Sequence, residues 1–361
     1  MSAYDVVVVG GGIGGLTVAA LLSVRGLKTC LLERQSQVGG CIARVEFSGY
    51  DFEPGMGLYT SFGAGEVFDT LFSQLPVAVP EVSLVDAPYV LRRSDHTDIR
   101  ITTDDLYSIA GGPATLAERL AESIRQSGGN LRLNSPVLRL AYDESGQATG
   151  VDLLSGERVF AKKAIVSNLT IWDTYGKLVG LNRTPAEIKK QLSMLHGSGV
   201  YVVYAGIEEA AVARLPAERM RVEDGEGEFT LAISSSGVAP EGKRGVTFTT
   251  RTEIDSWFAY QSSEEDYEEW DQEALEHFWK RLHAALPELG SDIEIIETAN
   301  PRTYYDSTRR KLGMVLGVSE AVSGGHQTSL ANVFMVGDTV SDEAKVDGVV
   351  QAAMLLVDKV V

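Results

Sequence analysis

The hydrophobic positions of this chain fall into runs of distinct period. Residues 5–9, DVVVV, are continuous, β-branched and ended by glycine, which predicts a strand buried on both faces in a parallel sheet. An apolar helix is predicted from Leu16 to about Arg25 with Gly26 as its C-cap, then a second strand from Lys28 to Leu32 ended by Glu33. GGPATLAERLAESIRQSGGN (111–130) has apolar residues at helical spacing, Pro113 near its start and Gly128-Gly129 at its end. Strands are predicted near 131–141 and 149–154 around the turn DESG, and over Ala164–Ser167, with Asn168 as the cap of the next element. ANVFMVGD (331–338) reads as another short buried strand, and a helix runs from about Val346 to Val360.

Between residues 185 and 320 the pattern changes. YVVYAGI (201–207), FTLAIS (229–234), GVTFTTR (245–251) and IEIIET (293–298) partly alternate, which suggests a mixed or antiparallel sheet. One long helix is expected over 264–286, with Ser262-x-x-Glu265 as its capping box. Tyr267, Trp270, Ala274, Phe278 and Leu282 fall on one face. That face reads as ordinary core against a sheet, or as the wall of a substrate cavity. Glu264, Glu265, Asp266, Glu268 and Glu269 form a solvated acidic face.

Composition narrows the partners. The 361 residues carry a net charge of -18, which disfavours nucleic acid and anionic membrane surfaces. Apolar, peripheral docking to a membrane stays open but is not indicated. The stretch VVVVGGGIGGLTVAALL is too short and too glycine-rich for a membrane span, and MSAYD lacks the basic start of a signal peptide. Two cysteines, Cys30 and Cys41, form no CxxC pair, which fits a reducing, cytoplasmic setting. The five histidines show no metal-ligand spacing.

The chemistry concentrates at Gly10-Gly11-Gly12-Ile13-Gly14-Gly15. Strand, G-x-G-x-x-G, helix, strand and an acid 23 positions after Gly10 stand in order. Gly10 permits the tight turn, Gly12 lets backbone N–H groups approach a pyrophosphate, and Gly15 lets helix and strand pack closely. The helix N-terminus favours phosphate. Glu33 can accept both ribose hydroxyls of an adenosine and would repel a 2′-phosphate. The fingerprint alone does not choose between FAD and NAD; a strand feeding Gly337-Asp338 and then a helix suits a flavin.

With these motifs the sequence resembles the FAD-dependent amine oxidase-like oxidoreductases, in the phytoene desaturase and carotenoid isomerase branch. The matching segments include residues 6–40, GYDFEPGMGLY, IAGGPATLAERLAESIRQSGGNLRLNSPVLRL, ATGVDLLSGERVFAKKAIVSN, NPRTYYDSTRRKLGMVLG and NVFMVGD. The resemblance implies FAD as cofactor and an α/β fold of the glutathione reductase-like, two-dinucleotide-binding-motif group. A Rossmann-type FAD-binding domain is expected from residues 1–55, 99–170 and 325–361. A substrate domain of mixed β-sheet plus helix is expected from 56–98 and 171–324. The resemblance places Gly10, Gly12, Ile13, Gly14 and Gly15 at the pyrophosphate, Glu33 at the adenosine ribose and Arg34 beside it. Gly39, Gly40 and Cys41 pass along the pyrophosphate and flavin. Gly55 and Met56 approach the isoalloxazine, Val137 contacts adenine, and Gly337 and Asp338 hold the ribityl and phosphate portion. Val346 and Gly348 open the helix under the flavin.

Three departures from the family pattern stand out. Cys41 replaces the usual Arg, Ser or Thr. Thr339 to Lys345 replaces a glycine- and proline-rich turn. Only about fifty residues separate EPGMG from GGPATL, where family members carry a large helical region. The implied activity is transfer of hydride from an apolar, isoprenoid-like substrate to flavin N5, by a desaturase, dehydrogenase or isomerase. An amine oxidase-like enzyme on a small soluble substrate and a non-catalytic flavin- or prenyl-binding carrier are the alternatives. A homo-oligomer or protein partner could complete the shortened site. No catalytic residue is assigned. NPRTYYDSTRR (300–310) is expected to pack beside the flavin or to orient a substrate.

Overall fold

The computed structural model describes residues 3–360 apart from 87–88, 103–104, 235–237, 260–263, 319–325 and 342. The expected capping residue Ser262 therefore lies outside the described residues. Strand β1 (Ala3–Val9) leads through helix α1 (Ile13–Val24) to β2 (Thr29–Leu32). The helix begins at Ile13, three residues earlier than its apolar pattern suggests, because Gly14 and Gly15 already lie inside its first turn. Val6, Val7 and Val8 are fully buried, as a continuous apolar strand requires.

Among the described residues, seven strands form the first sheet. They are β1, β2, β3 (Asn130–Arg132), β4 (Val137–Tyr142), β5 (Ala148–Leu153), β6 (Arg158–Ser167) and β7 (Val333–Met335). The order is β4-β5-β6-β1-β2-β3, with β1 parallel to β2 and β6. Strand β6 changes partner along its length: residues 158–160 pair antiparallel with β5, and 165–167 pair parallel with β7. The switch places the end of β7, and so Gly337-Asp338, next to the ends of β6 and β1.

Helix α1 is apolar on nearly every side because it is covered on nearly every side. Helices α2 (Val67–Phe72) and α3 (Ala114–Gln126) and the C-terminal helix Val346–Val360 share one core with it. Gly26, at φ +81°, closes it as expected.

The second sheet runs in the order Ile293–Ala299, Gly197–Glu208, Lys243–Thr252, Glu228–Ile233, Arg219–Glu223, Tyr89–Arg92, Asp98–Ile101. The pairings Gly197–Glu208 with Lys243–Thr252 and Glu228–Ile233 with Lys243–Thr252 are antiparallel, and Arg219–Glu223 runs parallel to Tyr89–Arg92. The sheet is thus mixed, as its partial alternation implies. The long helix Glu264–Ala285 buries Phe278 and Leu282 on it, with Tyr267, Trp270 and Ala274 half-buried around them. Its expected face is therefore core, and Glu265, Asp266, Glu268 and Glu269 are exposed. Among the described residues, no helix is long and apolar enough to cross a membrane.

Candidate active site

The glycine loop sits where β1 ends, fixed by backbone alone. Gly10, at φ +99°, donates its N–H to the Leu32 carbonyl at 2.9 Å. A Cβ on Gly15 would run into the Gly10 carbonyl, so helix and turn meet at a distance only glycine allows. No side chain caps α1, and its first turn holds no acid. Its leading N–H groups are thus left without a capping side chain, the arrangement that binds phosphate.

Glu33 closes one end of this surface. Its Oε2 accepts the Gly11 N–H at 2.6 Å and its Oε1 the Gln35 N–H at 2.7 Å. Its carbonyl accepts the Ser135 N–H at 2.8 Å, which brings Val137 at the head of β4 to the same end. Gly39 donates to the Gly11 carbonyl at 2.8 Å and forms a parallel bridge with Gly12, so Gly39 and Gly40 lie along the loop.

Asn168 occupies the centre. The sequence suggests a cap, but Thr170 does that work, accepting the Asp173 N–H. The Asn168 side chain instead lies against Gly12, Gly14 and Gly337. A residue just past a strand end has no local signal for this; only the neighbouring of β6, β1 and β7 reveals it.

Asp338 forms an ion pair with Arg310 at 2.6 Å, and Cys41 stands within electrostatic reach of both. Arg34 donates to the carbonyls of Asp306 and Ser307 at 3.2 and 2.7 Å, and Gln35 also bonds the Ser307 carbonyl. The short helix Pro301–Thr308 is thus tied to the segment after Glu33, and its N-terminus carries a capping box from Asn300.

Gly55 and Met56 lie in a loop held at both ends. Arg219 donates to the Met56 carbonyl at 2.9 Å, while Thr60 and Ser61 both donate to Asp347 Oδ2 at 2.7 Å. The second tie joins this loop to Val346 and Gly348 at the head of the C-terminal helix. Burial opposes the Asp347 charge, but the two hydroxyls and the backbone N–H groups outweigh it, so its pKa is lowered. Glu53 is 5% exposed, hydrogen-bonded to Tyr59, and lies near Arg219 and Asp51. Burial pushes its carboxyl up to about 7, with Arg219 pulling it down and Asp51 pushing it up.

The residues fit a dinucleotide: a tightly packed glycine loop, an uncapped helix start, and a carboxylate bonded to that loop. Gly337-Asp338, joined to the same loop through Asn168, fits the flavin half of FAD.

Comparison with known proteins agrees. Residues 8–75 match the model for the NAD(P)-binding Rossmann-like domain, and residues 94–361 that for the flavin containing amine oxidoreductases. A chloroplastic prolycopene isomerase of Daucus carota is 27% identical over 63% of this chain and 40% of its own length. A neurosporene-forming phytoene desaturase of Cereibacter sphaeroides is 26% identical over 68% of this chain and 52% of its own. An oxidoreductase from Methanosarcina mazei shares the fold with a TM-score of 0.73 at 14% identity, covering 99% of this chain and 100% of the other. The chain spans about half the length, or less, of the two curated relatives.

Proposed function

The chain belongs to the flavin containing amine oxidoreductase family, and from that premise we propose that it is an FAD-dependent oxidoreductase, a desaturase, dehydrogenase or isomerase, acting on an apolar, isoprenoid-like small molecule. The joined cradle carries this reading. Gly10, Gly12, Gly14, Gly15 and Gly337 pack on Asn168, Glu33 bonds the Gly11 N–H and Gly39 bridges to Gly12, and a chain with no dinucleotide to hold has no physical need of that arrangement. Relatives named for prolycopene and phytoene favour a polyene over an amine.

When bound, the flavin supplies the redox chemistry by accepting hydride at N5. The chain's own part is position and charge. Gly10, Gly12, Ile13, Gly14 and Gly15 would take the pyrophosphate, with Glu33 at the ribose and Val137 at the adenine. Gly39, Gly40 and Cys41 would line the path to the flavin, and Gly337 and Asp338 would hold the ribityl chain. Gly55 and Met56 would face the ring system across from Val346 and Gly348. Arg34, spent on two carbonyls, would act as a strut beside the ribose. Cys30 and Cys41 are both free, which supports a reducing, cytoplasmic setting. The short stretch between Gly57 and Gly111 leaves the substrate side to be completed by a second copy or a partner, which sedimentation would reveal.

The test is anaerobic reduction of the FAD-loaded protein. Bleaching of the flavin by an isoprenoid polyene in detergent, and not by small amines, supports the reading. Bleaching by amines alone would replace it with an amine oxidase-like activity. A bound flavin that no donor bleaches, with the double-bond geometry of the polyene also unchanged after incubation with the oxidised and the reduced protein, would make the protein a carrier.

A further inference from the structure

The sequence sets residues 300–310 beside the flavin without singling out Arg310, whose side chain is only 15% exposed and pairs with Asp338. Nε donates to the Met314 carbonyl at 2.7 Å and Nη2 to Asp338 at 2.6 Å. Among the described residues, Nη1 has no protein acceptor. Cys41 lies close enough to feel its charge. Cys41 comes directly after Gly39-Gly40, which lie along Gly12, and Asp338 comes directly after Gly337, which lies against Asn168 and through it Gly12 and Gly14. Arg310 thus reaches both segments that border the glycine loop, the one after Gly40 and the one after Gly337.

The backbone around it is bent to put it there. Arg309 and Leu312 on either side are non-glycine residues at φ +57° and +50°, a conformation that costs free energy and persists only where surrounding contacts enforce it. A Cβ on Gly313 would run into the Pro301 carbonyl. The Lys311 N–H is fixed by Asp173 Oδ2 at 2.9 Å. The turn 309–313 is therefore anchored on both sides.

A diphosphate would bring negative charge to a groove that already contains Glu33 and Asp338. Arg34, next to Glu33, is engaged with carbonyls, and Arg44, just after Cys41, with Glu46 and Asp51. We infer, on the reading that this site holds FAD, that Arg310 is the side-chain cation that would pair with the diphosphate beside the glycine loop, while keeping its bond to Asp338. A planar guanidinium can bond a carboxylate and a phosphate at once; an ammonium cannot hold both in fixed geometry. Arg310 is contributed by a segment beyond the strand Ile293–Ala299 of the second sheet, so cofactor binding would also join the two lobes.

FAD affinity of the cofactor-free protein, titrated by flavin fluorescence at low and moderate salt, tests this. Arg310→Gln should bind FAD ten- to a hundredfold more weakly, with a shallower salt dependence, while its far-UV circular dichroism stays native. If the glutamine variant does not fold, Arg310→Lys carries the test: it keeps the charge but loses the fork, and should bind three- to tenfold more weakly. Native protein that binds FAD while a folded variant stays within twofold of it overturns the inference and leaves the proposed function standing. Native protein that does not bind FAD overturns both.

Discussion

The Asn168 amide fills the space beside Gly12: a Cβ added to Gly12 would stand 2.7 Å from Asn168 Nδ2. Gly12 is therefore fixed by its neighbour across the sheet as much as by any ligand. Gly12→Ala should destabilise the protein by about 1–3 kcal/mol, the usual cost of forcing an extra carbon into a packed site. Asn168→Ala opens that space, so the double variant should lose less than the two single ones summed. Denaturant unfolding of the four proteins measures this. Strict additivity would show that the two residues do not press on each other.

Glu53 should make stability fall as pH rises. Its carboxyl is raised from 4.5 to about 7, so the folded state holds its proton more tightly than the unfolded chain does. That contribution is fully present below pH 4.5 and is lost as pH rises through 7. Glu53→Gln, which cannot ionise, should match the native protein near pH 4 and gain on it by up to about 3 kcal/mol above pH 8. A stability difference independent of pH would show that Glu53 ionises as an ordinary carboxyl.

Asp347 should do the reverse. Its lowered pKa gives stability above the unfolded value of 3.8 that is lost as pH falls through the folded one. Asp347→Ala removes the acceptor of both Thr60 and Ser61, and should cost about 1–3 kcal/mol at pH 7. The difference should shrink toward pH 3. Protease cleavage of the 53–61 loop, slow in the native protein, should quicken in the variant.

Leu282 is fully buried between the long helix and the second sheet. Leu282→Ala should cost about 2–5 kcal/mol, read by chemical denaturation. A loss under 0.5 kcal/mol, far below that range, would mean that this face is loosely packed and suited to a cavity wall.

Much of the fold is legible because period and punctuation agree locally. DVVVV, the glycines, the helix closed by Gly26 and the strand ending at Glu33 need no distant residue to be read. The mixed second sheet is legible from partial alternation in its strands. The sequence marks Asn168 only as a cap and Arg310 only as part of 300–310, and what their side chains reach is not legible, for one physical reason. Each reaches the site from a remote part of the chain, Asn168 through the order of parallel strands and Arg310 through a bent turn. Neither position shows a spacing that sequence alone could mark. Glu53 stands in the motif GYDFEPGMG, but its proton-holding character depends on burial beside Tyr59, Asp51 and Arg219, and Arg219 is supplied by a strand more than 160 residues away.

The most direct test of the account is the visible spectrum of the protein as purified, or after incubation with FAD, before and after heat release of the chromophore. The protein should show the bands of oxidised flavin and release intact FAD, with none left attached to Cys41. A colourless protein that also fails to take up added FAD would contradict the account, and would leave the glycine loop, Glu33 and Asp338 as a cradle without an occupant.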